Sequence, residues 1–173
     1  MAQSAPKERK GVAYVVMGIC GCGKSTVARL LADRLGIEML DADDFHPLEN
    51  VQKMQSGVPL DDVDRSGWLA RLNEALRQRT ESGASIALAC SALKQRYRDA
   101  LAEGVADCRW IYLKGSRELI LERMSARANH FMPTSLVDSQ LAALEEPTGA
   151  IVIDIGQPLE AIVAETLARA ATQ

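Results

Sequence analysis

The chain has no apolar run approaching the roughly 20 residues that a membrane helix needs, which excludes a spanning segment. It has no excess of basic charge: Lys and Arg total 20 against 23 Asp and Glu, a net charge of -3, so there is no electrostatic footprint for nucleic acid. It has no internal repeat and no low-complexity segment. Residues 1–10 are polar and charged, reading as a frayed arm rather than a secretory signal, and this predicts a cytoplasmic protein. Cysteine is sparse. Cys20 and Cys22 lie inside a Gly-rich loop that a crosslink would distort, and Cys90 and Cys108 flank strand candidates, so all four are read as reduced.

What the sequence does contain is one domain's worth of alternating strand and helix patterns. With 173 residues, one compact unit over 11–173 is expected. Apolar strand candidates occur at Val12–Met17, Glu38–Leu40, Ile86–Ala89, Trp110–Leu113 and Ile151–Ile155, separated by stretches of helical periodicity. Such alternation predicts an α/β fold with a central, mostly parallel sheet covered by helices on both faces. A long helical region, about 47–82 and interrupted by Gly57-Val58-Pro59, is polar enough to sit outside the sheet and reads as a substrate-binding insertion. Residues 123–133, rich in Arg, Ala and Asn and carrying His130 and Phe131, suit a mobile lid.

The strongest local signal is Gly18-Ile19-Cys20-Gly21-Cys22-Gly23-Lys24-Ser25, a glycine, four residues, then Gly-Lys-Ser, with a strand pattern before and a helix pattern after. Gly18, Gly21 and Gly23 permit a loop whose backbone N–H groups converge on phosphate oxygens at the positive end of a helix. Lys24 would reach the β- and γ-phosphates, the Ser25 hydroxyl would hold Mg²⁺, and Thr26 completes the nucleotide-binding set. A phosphate loop alone does not separate kinases from GTPases, motor ATPases or non-catalytic nucleotide switches.

The acceptor side must decide. Asp41-Ala42-Asp43 follows the second strand candidate and should emerge at the same sheet edge as the phosphate loop. In an extended segment the two carboxylates share parity, so that Asp41 could address the metal's water shell and Asp43 an acceptor hydroxyl. His46, Arg65, Lys94 and Arg98 are candidates for binding an acceptor with one carboxylate and many hydroxyls, which calls for a guanidinium fork and short polar groups. Plainer alternatives stand beside each: Arg98 could pair with Asp99 or Glu103 on a solvated helix face, Arg65 could serve its own helix, His46 could be a turn residue, and Trp68 reads better as a core anchor than as a sugar platform. Arg123 and Arg127, four apart, would share a helix face and close over the phosphates.

Taken together, Asp41-Ala42-Asp43, His46-Pro47, Asn50, Lys53-Met54, Gly57, Pro59-Leu60, Asp62, Asp64-Arg65 and Trp68 resemble the acceptor-side signature of the gluconate kinase family. Ser91-Ala92-Leu93-Lys94 with Tyr97-Arg98-Asp99, Ile111 to Gly115, the Arg127 to Phe131 region and Asp154-Ile155 with Gln157 to Glu160 extend the resemblance almost to the end of the chain. The chain departs from the family pattern at Cys20 and Cys22, where small hydroxyl residues are frequent, and at Ala128-Asn129, where Lys-Gly is common. The resemblance implies a P-loop NTPase of the nucleoside monophosphate kinase-like three-layer type, with ATP, Mg²⁺, D-gluconate as acceptor, 6-phosphogluconate as product, and a homodimer. In that reading Lys24, Asp43 and Arg127 carry the transfer, and Ser25 and Asp41 hold the metal. The rivals are a same-fold kinase acting on shikimate or a nucleoside monophosphate, disfavoured by the His46–Trp68 insertion, and a non-catalytic switch, disfavoured by the paired carboxylates.

Overall fold

A computed structural model describes residues 9–127 and 134–173. Five strands, β1 (Ala13–Met17), β2 (Glu38–Asp41), β3 (Ile86–Ala89), β4 (Cys108–Lys114) and β5 (Ile151–Asp154), form one sheet in the order β2-β3-β1-β4-β5. Every neighbouring pair is parallel. The described helices are α1 (Lys24–Leu35), α2 (Leu48–Gln55), α3 (Asp62–Glu81), α4 (Gln95–Ala102), α5 (Arg117–Ser125), α6 (Thr134–Ala143) and α7 (Leu159–Ala170). The chain leaves β1 for one edge of the sheet and later returns to its other side, so the carboxyl end of β1 lies at a switch point between β3 and β4. That is where an open α/β sheet offers a crevice.

Strand alternation sorts β1 between two cores. Ala13, Val15 and Met17 face one layer with Trp68, Leu72 and Leu76 of α3 and Leu101 of α4, while Val16 faces the other with Val27 and Leu31 of α1, Ile120 of α5 and Ile162 of α7. Fully burying each such Leu, Ile or Val contributes about 1.5–3 kcal/mol, enough to hold β1 in a single register. This anchors the loop that follows β1.

The expected insertion is only half right. Residues 47–82 do form α2 and α3, separated by the Gly57-Val58-Pro59 break, but α3 does not sit outside the sheet. Trp68, Leu69, Leu72, Ala75 and Leu76 recur at helical spacing and make α3 the main cover of one sheet face. The charged residues on its other side raise the average polarity and hide that stripe. Only α2 and the first turns of α3 are left to project. Asn50, buried, donates to the Asp64 carbonyl, and Lys53 reaches the Asp64 carboxylate at 2.6 Å, so α2 is tied to the capping box that opens α3. The expected arm lies almost entirely outside the described residues, as do Ala128 to Pro133 of the expected lid, including His130 and Phe131.

Candidate active site

The loop from Gly18 to Gly23 joins β1 to α1. Gly21 has φ +79°, and a Cβ there would come within 2.7 Å of the Met124 side chain. Gly18 has φ +150°, and a Cβ there would meet the Leu113 carbonyl oxygen at 2.9 Å. Both positions therefore demand glycine on conformational and steric grounds. Among the described residues no side chain caps the N-terminus of α1, so its first N–H groups are left for an anion. Cys22 is buried beneath the loop and Cys20 half-buried beside it. Burial pushes both thiols up, and Cys90 and Cys108 are pushed up to about 12, so all four behave as small apolar fillers. None of the four is joined to another in a disulfide.

Lys24 Nζ donates to the Ile19 carbonyl at 3.0 Å, folding the lysine back over its own loop. Ser25 Oγ donates to Asp41 Oδ2 at 2.7 Å. The other oxygen of Asp41 accepts from the Asp43 backbone N–H at 3.0 Å and so caps a 3-10 turn over Ala42–Phe45. The parity expected of Asp41 and Asp43 does not apply, because Asp41 ends β2 and Asp43 already lies within that turn. They still meet, because the cap of Asp41 folds the turn back on the strand end. Lys24, Ser25, Thr26, Asp41 and Asp43 all line one cavity of about 290 Å³, with Cys20 and Gly23 at its phosphate-loop wall and Arg127 at its rim.

Asp43 stays accessible through the mouth of this cavity, yet the surrounding protein withdraws it from bulk water, and this raises its carboxyl. The nearby Asp41 carboxylate raises it further, while His46 and Lys24 act in the opposite sense. A raised carboxyl is the better proton acceptor. Mg²⁺ fits the Ser25–Asp41 pair: a hydroxyl and a carboxylate already in contact at the phosphate loop are oxygen ligands of the kind this ion takes. Among the described residues there is no cluster of three or more metal-ligating side chains, so phosphate oxygens and water would supply the rest, as is usual for this ion.

The acceptor candidates lie beyond this cavity and divide. His46 stacks on Trp68, with ring centroids 4.5 Å apart and an interplanar angle of 11°. Trp68 donates to the Ala42 carbonyl at 2.7 Å, so it is a core anchor whose free face supports the histidine and not a sugar. Burial pushes His46 down towards the neutral form. Arg65 and Lys94 each sit 5.8 Å from the centre of the Tyr97 ring, and Arg96 sits 5.3 Å from it. The Tyr97 hydroxyl and Arg96 both bond to Asp62, at 2.8 and 2.7 Å. Tyr97 thus gathers three cations, a role that its place in the sequence does not advertise.

Arg98 is a correction, and Arg123 is engaged away from the cavity. Arg98 is 2% exposed, and its guanidinium is committed to the carbonyls of Ala92, Leu93 and Glu145 and to Gln95 Oε1, so it cannot reach an acceptor. Arg123 donates to the Ile155 carbonyl at the end of β5 and does not line the cavity. Arg123 and Arg127 do not share a helix face, because α5 ends at Ser125 and Arg127 lies beyond it. Besides Cys20, Ala89, Cys90 and Leu136, two polar lining residues were missed as site residues. Ser91 sits in a quoted motif but had no role assigned. Gln140 of α6 accepts the Cys20 N–H at 2.7 Å, and nothing in the sequence sets it apart from the other polar residues of that helix.

A family model described as shikimate kinase matches residues 20–154. The shikimate kinase of Aquifex aeolicus shares the fold, with a TM-score of 0.61 at 16% identity over 93% of this chain and 97% of its own. These findings and the phosphate-loop cavity define a P-loop kinase of the shikimate kinase type. The thermoresistant gluconokinase of Escherichia coli is 44% identical over 89% of this chain and 90% of its own. A gluconokinase from Sinorhizobium meliloti superimposes with a TM-score of 0.84 at 42% identity, covering 95% of this chain and 94% of its own. The chain belongs to the gluconokinase family.

Proposed function

We propose that this kinase transfers the γ-phosphoryl group of ATP to the primary hydroxyl of D-gluconate, giving 6-phospho-D-gluconate and ADP. The observation that carries the reading is the meeting of Lys24, Ser25, Asp41 and Asp43 in one cavity at the phosphate loop, in a chain whose relatives are gluconokinases.

Each residue has a part in that reaction. The loop amides and the unfilled N-terminus of α1 receive phosphate oxygens, and Lys24 exchanges its bond to the Ile19 carbonyl for them. Mg²⁺, held by Ser25 with Asp41, would offset charge on the phosphates when bound. Asp43 orients the acceptor hydroxyl and takes its proton late, as the new oxygen–phosphorus bond forms and the bond to the leaving ADP oxygen breaks. Arg127 stabilises charge on the transferring group from the rim. His46, Arg65 and Lys94 are assigned to the sugar acid, with the two cations facing its carboxylate. A homodimer and a cytoplasmic location belong to the same reading; kinship with the gluconate kinases supports the first and free thiols suit the second. Sedimentation and cell fractionation test them.

The acceptor is tested by a coupled ADP-release assay on purified protein with Mg-ATP. Strong turnover is expected with D-gluconate and weak turnover with glucose, shikimate or AMP. Glucose lacks the carboxylate and leaves a desolvated cation unpaired, at a cost of about 2 kcal/mol or more. Shikimate belongs in the panel because the matching family model is that of shikimate kinase. Equal turnover of glucose and gluconate would overturn the sugar-acid assignment, and preference for shikimate would replace it.

A further inference from the structure

We propose that Arg98 is a positioning residue for the acceptor, holding a strained turn at Ala92 that presents Ser91 to the cavity and Lys94 to the sugar-acid side. The proposal rests on the gluconate reading above.

Ala92 has φ +46°, and it is the only non-glycine residue with positive φ among those described. An alanine relaxes out of this region unless its surroundings over-determine it, and such residues gather where side chains must be aimed. Here the restraint is visible. Arg98 Nη1 donates to the Ala92 carbonyl at 2.8 Å and to the Leu93 carbonyl at 3.1 Å. Its Nη2 donates to Gln95 Oε1 at 3.0 Å and to the Glu145 carbonyl at 2.8 Å. The Glu145 N–H in turn donates to Leu93, and the Glu145 carboxylate accepts the Gln95 N–H at 2.7 Å.

The guanidinium is buried, yet among the described residues it takes part in no ion pair. Burial disfavours the charge, the Glu145 and Asp99 carboxylates offset that only through space, and a planar fork that reaches several carbonyls at once supplies what a lysine could not. The residues on either side of the strained alanine are those that matter to the site. Ser91 lines the same cavity as Asp43, and Lys94 sits against Tyr97. A solvated-face or purely structural arginine has no need of this particular turn.

The test compares Arg98→Lys with the double variant Arg98→Lys/Ala92→Gly, measuring KM for gluconate, KM for ATP and the melting temperature. Arg98→Lys should raise the gluconate KM about tenfold and change the ATP KM less than about twofold, because Gly23, Lys24, Ser25 and Thr26 are carried by β1 and α1, and Ser91 is the one cavity residue assigned to this turn. Glycine accepts φ +46° without strain, so the double variant should recover the gluconate KM to within about threefold of wild type while the melting temperature stays depressed. Parallel rises in both KM values, or no recovery with glycine, would overturn the proposal. If Arg98→Lys does not yield folded protein, Gln95→Met removes one partner of the guanidinium from an exposed position. A rise in gluconate KM alone supports the clamp, and no change in either KM refutes it. If wild type turns over no gluconate, the functional reading fails before the clamp is tested.

Discussion

The two halves of the site are made of different material. The nucleotide half is mostly backbone: a loop shaped by glycines, an uncapped helix end, and a lysine parked on its own carbonyl. The acceptor half is mostly side chain, with Lys53 on Asp64, Arg96 and Tyr97 on Asp62, His46 on Trp68 and Arg98 on three carbonyls. A backbone site is encoded by a short run of residues and serves any nucleoside triphosphate. A side-chain site is scattered along the chain and its specificity depends on neighbours holding neighbours.

That comparison is most severely tested at Lys24. Among the described residues its Nζ makes one hydrogen bond, to a carbonyl of its own loop, so Lys24→Met should leave the fold intact while turnover falls by at least about 10³-fold. Circular dichroism and the coupled assay check both parts. Retained activity would mean that the cavity is not where phosphate transfer occurs.

On the acceptor side, Asp43→Asn should lower kcat by about 10² to 10⁴-fold while ATP affinity, measured by calorimetry, stays near wild type. A loss below about tenfold would reduce Asp43 to a positioning group. Asp41 bridges the halves. Asp41→Asn can still accept the Asp43 N–H but cannot accept from the Ser25 hydroxyl in the same way, and it loses charge beside the metal. A moderate fall in rate, partly recovered by raising the Mg²⁺ concentration, is expected; Asp43→Asn should show no such recovery. If both variants respond alike to metal, the division of labour between the two carboxylates is wrong.

The same contrast governs what could be read from the sequence. The phosphate loop was legible because eight consecutive residues with a strand before and a helix after specify it almost completely. All five strands were also legible, since their apolar runs are short and sit between helical patterns. The α3 stripe was not, because Trp68, Leu72 and Leu76 are diluted by charge on the opposite face. Arg98 was misplaced for a different reason. Its spacing fits a solvated helix face, and only tertiary structure brings the Ala92, Leu93 and Glu145 carbonyls around it. Asn50, Lys53 and Asp64, quoted for the family resemblance, turn out to bind α2 to α3, so part of a signature that reads as substrate recognition is architecture that holds the recognising residues.

The smallest expected effect is the one that most directly links function to stability. The Asp43 carboxyl is raised in the folded protein above its ordinary value of 3.8, chiefly by withdrawal from water and then by Asp41. Below that ordinary value the group is protonated whether the chain is folded or not, and it contributes no difference. As pH rises through the window between the unfolded and the raised folded values, the unfolded chain releases its proton first, and the folded state loses stability relative to it. Above the folded value the penalty is complete. None of the described hydrogen bonds uses the Asp43 side chain as an acceptor, so replacing it by Asn should forfeit no contact. Asp43→Asn should therefore melt slightly higher than wild type at pH 7, by less than about 2 °C given the partial exposure of the group, and the two should converge as pH falls below the ordinary carboxyl range. Melting curves across pH check this. A variant that is inactive and less stable at every pH would mean that Asp43 is held by interactions of the fold, and that its strained ionisation is not a cost kept for catalysis.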